Sequence, residues 1–198
     1  HMGRWILYSL LAYCALYAAV WLHELGHALL NARFGCRPGW SRVQVKPYVF
    51  FSNPGPVDLD KYRALAPWQR TLAAYGGVIA NLLWAGAGGA LLLLLQPENG
   101  YVQLFLWMFT TLHLAEIVSY LVVGSIYLVS DMAIAVQEYP RLRLPNIAAG
   151  LAVTAVYLWA LLRVPADFRV FAAVWNLLTV LSMCAGRIVF SLLRGRAS

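Results

Sequence analysis

Charge is what this sequence has least of. Asp, Glu, Lys and Arg make up 12% of its 198 residues, against roughly 25% in ordinary soluble domains, while 62% is hydrophobic and mean hydropathy is +0.67. That balance excludes a soluble globular fold and leaves a polytopic helical membrane protein. Acidic residues are the scarcer sign, eight against fifteen basic ones. The net charge of +7 is no nucleic-acid footprint, because Arg and Lys fall between the apolar runs, where they orient a chain in a bilayer. Cysteine is nearly missing too. Cys14, Cys36 and Cys184 are odd in number, far apart and without C-x-x-C spacing, which excludes a disulfide framework and a cysteine-built zinc site. No internal repeat, low-complexity tract or soluble appendage is visible. The chain therefore reads as one membrane-embedded domain, residues 2–198, with His1 a vector remnant ahead of Met2.

What the sequence does have is long apolar runs. Five of them, at residues 5–22, 71–95, 101–129, 146–162 and 170–193, come near or beyond the ~20 residues that a bilayer core requires. The first continues into a polar helical stretch reaching residue 34, so it reads as a span and not as a cleavable leader. Gly35, Pro38 and Gly39 then stop that helix. The third run exceeds one perpendicular span, which predicts a tilt, a kink near Gly124 or a break before Asp131. Residues 40–51 change character to Val43, Val45, Tyr48, Val49, Phe50 and Phe51 around Pro47, and this predicts a small membrane-associated β-hairpin. The expected fold is thus an all-α polytopic membrane protein of about five transmembrane helices, a three-helix core over 5–136 and two more over 146–193, with that hairpin. The basic residues of segment 33–70, the Arg141 loop and the tail share one side, cytoplasmic by the positive-inside rule, and the 96–100 turn lies opposite.

Three costly residues stand together at the end of the first run. His23-Glu24-Leu25-Gly26-His27 puts two histidines about one turn apart on one helix face, so both imidazoles can meet one metal ion. Two neutral imidazoles hold zinc while leaving room for water, and Glu24 beside them is placed to take that water's proton. The duller alternative is a satisfied polar cluster that packs helices together. A catalytic zinc requires a third protein ligand. In the five-span map Asp131 arrives at the depth of His23 and His27. Glu116, roughly 22 Å earlier along a continuous helix, is the competitor, and it reads better as a partner of His113 or of a neighbouring helix. Asn81, one turn beyond Gly77, either supports an oxyanion or an extended substrate, or joins two helices. A strand edge at Val43, Val45 and Val49 would hold an unwound substrate segment, or merely cover the site.

Three stretches together resemble the site-2 protease family of intramembrane zinc metalloproteases, the M50-type peptidases. Leu22-His23-Glu24-Leu25-Gly26-His27-Ala28 with Phe34-Gly35 is similar to that family's metal helix. Gly77-Val78-Ile79-Ala80-Asn81 is similar to its second core motif, and Ser130-Asp131 stands where it carries a third-ligand aspartate. Met132 replaces the family's usual glycine, and Val123 and Ile126 stand near its usual Asn and Pro. The resemblance covers residues 10–136. It implies one zinc ion per chain on His23, His27 and Asp131, with Glu24 as general base and Asn81 supporting substrate or transition state. The implied activity is hydrolysis of peptide bonds in or near transmembrane segments of membrane proteins. The implied setting is a multi-pass protein of the plasma or inner membrane, its active site near the cytoplasmic face and its partners the lipid bilayer and a transmembrane protein substrate. The rival is a proteolytically silent protein of the same fold that binds transmembrane helices or metal, and Glu24 argues for the enzyme. A metal transporter would carry more polar residues at mid-membrane than His113 and Glu116.

Overall fold

The computed structural model of the chain describes residues 2–46 and 57–195, and every regular element among them is helical. In order these are α1 (Met2–Arg33), α2 (Leu59–Ala64), α3 (Pro67–Leu95), α4 (Gly100–Val118), a π-helical stretch (Ser119–Gly124), the single turn α5 (Ser125–Tyr127), α6 (Ser130–Glu138), a 3-10 turn (Pro140–Leu142), α7 (Arg143–Arg163) and α8 (Ala166–Gly195). Five stretches are long and apolar enough to cross a membrane: Gly3–Arg33, Pro67–Leu95, Gly100–Tyr127, Pro140–Arg163 and Ala166–Leu193. They match the five apolar runs in number and order.

Local chemistry sets the ends of these helices. Gly35 takes φ +76°, and two backbone bonds, Cys36 N–H to Asn31 O at 2.8 Å and Gly35 N–H to Ala32 O at 3.0 Å, close α1 as a Schellman turn. Asn99 caps α4 by accepting the N–H groups of Tyr101 and Val102. Trp5, Tyr8, Tyr101, Phe168 and Phe171 form one ring cluster, which brings the N-termini of α1, α4 and α8 to one end of the bundle. Phe34 and Trp68 meet at the other end. The loops therefore alternate between ends as the five-run reading requires.

Small residues set how closely the core helices approach. Ala12, Ala15 and Ala19 of α1 are wholly buried in a cluster with Leu104, Met108 and Leu112 of α4 and Phe168 and Ala172 of α8. Gly26 of α1 and Gly76 of α3 lie backbone against backbone, so that a Cβ on either would collide with the other's carbonyl. Buried amides add glue on the outer helices. Asn176 of α8 donates to Thr111 Oγ1 of α4 at 3.1 Å and accepts from the Tyr157 hydroxyl of α7 at 3.0 Å.

Two expectations change. Residues 40–46 form no strand, although Lys46 carries an isolated bridge, and no β-hairpin is found among the described residues; Val49 lies outside them. Val43 and Val45 are buried, and the Val45 carbonyl accepts the Tyr17 hydroxyl of α1 at 2.9 Å, so Val45 packs onto α1. The third run is broken, as one of the three options had it, but by more than a kink. After the π-helical stretch, Leu128 (φ 53°) and Ser130 (φ 58°) both take left-handed backbone, which turns the chain and starts α6 with Asp131 in its first turn. Gly150 of α7 makes room for this irregularity, since a Cβ there would press on Val122 and Leu121.

Candidate metal centre

His23 and His27 leave α1 on the face that meets α3, and Asp131 meets them from the start of α6. Three atoms converge: His27 Nε2 lies 3.1 Å from His23 Nε2 and 3.1 Å from Asp131 Oδ2, and His23 Nε2 lies 3.3 Å from the same oxygen. A tetrahedral zinc with bonds of about 2.0–2.1 Å keeps its ligand atoms about 3.3 Å apart, so this triangle has the size of one face of that tetrahedron. The donor set also fits. His27 Nδ1–H donates to the Ala73 carbonyl at 2.8 Å, so on losing its second proton the ring keeps the one on Nδ1 and can offer the Nε2 lone pair to the triangle. Burial opposes the charge on Asp131, but a protonated His27 beside it, whose Nε2 proton a bound cation would displace, holds its carboxyl well below the usual carboxylate range. The protein supplies two imidazole nitrogens and one ionised oxygen, a set suited to a divalent transition metal.

His23 is fixed on every side. A Cβ on Gly77 would overlap its ring, so only glycine fits where α3 passes. The Tyr120 ring, presented by the π-helical stretch, stacks on it at 4.3 Å between centroids and 18° between planes. Behind Tyr120 lies the Arg187 guanidinium of α8, 3.7 Å from the ring centroid, with Nε–H donating to Ser119 Oγ at 2.7 Å. At His23 Nδ1 stands the amide of Asn81, 2.9 Å away, and the same amide's oxygen is 2.9 Å from His113 Nδ1. α6 is tied down at its far end by a two-bond pair between Arg70 and Glu138, at 2.6 and 3.0 Å.

The triangle opens on a cavity of about 1070 Å³. His23, Glu24, His27 and Asp131 line it, together with Leu16 and Val20 of α1 and Trp175, Thr179, Met183 and Arg187 of α8. Glu24 is 7% exposed, so it faces the cavity from within the protein. Glu116 lines the same cavity and is not one of the converging three. The depth that separated it from Asp131 along a continuous helix does not apply once the chain turns at Leu128. Asn81 is wholly buried and stands behind His23, outside the cavity lining.

Tyr120 and Arg187 are the site residues that sequence reasoning passed over. Arg187 carried a signal, since an arginine inside an apolar span requires a partner. Tyr120 carried none, because its direction depends on the π-helical register. Compared with protein-family models, curated proteins and solved structures, the chain matches none.

Proposed function

We propose that this chain is a zinc-dependent membrane endopeptidase that cleaves peptide bonds in or near transmembrane segments. The observation that carries the reading is the convergence of His23, His27 and Asp131 into a triangle of zinc-ligand size beside Glu24, on one cavity within a bundle of membrane-length helices. His23, His27 and Asp131 hold the ion, one per chain. Zinc bound there supplies Lewis-acid activation of water and of the scissile carbonyl. Glu24, next to His23 on the cavity wall, accepts the proton of the attacking water and delivers it to the leaving amine. The cavity admits the substrate between α1 and α8, whose apolar residues Leu16, Val20, Trp175 and Met183 face it. Thr179, Ser182 and Arg187 on α8, with Asn31 and Glu116 on the facing helices, provide the polar surface along which water reaches the site. The proposed setting is a cell membrane with the site toward the cytoplasmic face, where the basic loop residues lie.

The test is Glu24→Gln. The variant should bind zinc as wild type does and cleave a reconstituted transmembrane substrate at least ~100-fold more slowly, since a positioned general base contributes about 10²–10⁴. Zinc binding with unchanged cleavage would remove Glu24 from the mechanism. Zinc binding by both proteins with no cleavage by either would favour the silent helix- or metal-binding relative.

A further inference from the structure

A second hollow lies away from the metal centre, at the end of the bundle where the basic loop residues gather. It is a groove of about 510 Å³ between the first turns of α3 and the Tyr139–Leu142 link that leads into α7. Trp68, Thr71, Leu72 and Tyr75 follow one another at three- and four-residue spacing, so they share one face of α3 and form the groove's long wall. That wall runs about 10 Å, at 1.5 Å per residue from Trp68 to Tyr75. The Tyr75 hydroxyl donates to Asn146 Oδ1 of α7 and ties the two helices together at the groove's inner end. Two polar groups on this groove are left unsatisfied. Thr71 is 8% exposed, and its hydroxyl has no hydrogen-bond partner. Arg141 is exposed and makes no ion pair among the described residues. The cations around it are engaged: Arg70 with Glu138, Arg63 with Asp60, Lys61 with Asp58, and Arg143 with the carbonyls of Ser125 and Ile126. No acidic residue lines the groove among the described residues.

We propose that this groove binds one anionic phospholipid, with the phosphate on Arg141, the glycerol esters against Thr71 and the start of an acyl chain along Leu72 and Tyr75. Position selects a lipid. The membrane-length stretches Pro67–Leu95 and Pro140–Arg163 both begin here, so the groove opens at the level where headgroups give way to chains. Trp68 and Tyr139, 55% and 41% exposed, are amphipathic rings of the kind that settle at that level. Charge selects the headgroup. An anionic phosphate meets Arg141 without an ammonium of its own, whereas a zwitterionic lipid brings a second cation to the same place. Thr71 supplies the third requirement, because an enclosed hydroxyl is costly without a partner, and an ester carbonyl descending beside Arg141 is an acceptor for it. Tyr139 N–H donates to the Ala135 carbonyl and closes α6, so the lipid also braces the end of the helix whose first turn carries Asp131. The groove shares no lining residue with the cavity at the triangle, and the proposal stands whether or not the chain is a peptidase.

The experiment is native mass spectrometry of the full-length protein released from micelles doped with dioleoylphosphatidylglycerol or with dioleoylphosphatidylcholine, paired with thermal unfolding in each. Wild type should retain one phosphatidylglycerol in preference to phosphatidylcholine and should unfold at a higher temperature with it. Arg141→Gln should bind phosphatidylglycerol about fivefold more weakly, the contribution of one basic residue at an anionic surface, and should lose the preference. In lipid-free micelles this variant should unfold as wild type does, because Arg141 has no ion pair to lose. Thr71→Val should also weaken retention of phosphatidylglycerol, while the lipid-free protein unfolds no lower than wild type, since the hydroxyl removed had no partner. Arg63→Gln removes an exposed charge at the same end but off the groove, and should leave the preference intact. Equal retention of the two lipids by wild type, or equal losses in Arg63→Gln and Arg141→Gln, would reduce the groove to general basic surface and overturn the proposal. Displacement of phosphatidylglycerol by millimolar inorganic phosphate would make this a site for a free anion and would overturn it as well.

Discussion

Gly77→Ala tests the centre by adding a single methyl group. The substitution keeps α3 helical, since alanine is the better helix former, and it touches no ligand chemically. Its Cβ would nevertheless land on the His23 ring, whose three nearest atoms all fall inside ordinary contact distance. The ring would have to retreat by about 1 Å, roughly half the length of a zinc–nitrogen bond. It has nowhere to go, with Tyr120 stacked on it at 4.3 Å and Asn81 at 2.9 Å from Nδ1. Losing a contact that merely supports a ligand costs 10–100-fold in affinity, and displacing the ligand itself should reach at least the upper end, about 100-fold or ~2.8 kcal/mol. The assay is competition with a graded chelator series, paired with thermal unfolding of the metal-free protein. Gly86→Ala is the control, because a Cβ at Gly86, on the same helix, meets nothing within 4 Å and should leave zinc affinity untouched. Wild-type affinity in Gly77→Ala would refute the placement of His23 as a ligand.

Asp131→Asn should lose zinc and cleavage together, whereas Glu116→Gln should keep zinc; the reverse pattern, read by metal content after dialysis, would transfer the third ligand to Glu116. Single cysteines at Asp60 and Glu98, both exposed, should label from opposite faces of sealed vesicles, and labelling from one face would break the five-span topology. The Arg70 guanidinium holds the Glu138 carboxyl below its usual range, so this pair adds stability above an ordinary glutamate pKa near ~4.3 and loses it as pH falls through the lower folded value. Glu138→Gln should therefore lower thermal stability at neutral pH and flatten its decline on the acid side; a decline as steep as wild type would show that the pair does not anchor α6.

The parts of this molecule legible in advance were those written at fixed spacing or fixed composition. Five apolar runs became five membrane-length helices, and two histidines four apart stayed one turn apart on α1. Asp131 was legible by depth, because antiparallel spans bring residues near corresponding ends to one level. What failed was extrapolation through irregular backbone. The 1.5 Å rise that set Glu116 far from Asp131 assumes a continuous helix, and a π-helical stretch followed by left-handed Leu128 and Ser130, neither of them glycine, voids that assumption. The β-branched pattern at Val43 and Val45 reports burial as readily as strand pairing, and here both are buried, Val45 against α1. For Asn81 spacing left two roles open, and the geometry favours the second, the joining of helices, since its amide stands between His23 of α1 and His113 of α4.

The distance along the chain between the converging residues has a consequence for biogenesis. Asp131 lies 104 residues beyond His27. A ribosome adding ~5–20 residues per second needs on the order of 5–20 s to travel that far, and during that time α1 presents two imidazoles without the carboxylate. A two-ligand site holds zinc poorly, so under the proposed function the ion would enter at a late step, after α4 has inserted and the turn at Leu128 has delivered α6 against α3. By then the histidines are enclosed by Gly77, Tyr120 and Ala73. Among the described residues the cavity is what borders the triangle, so the passage proposed as the substrate's entrance would serve first as the metal's.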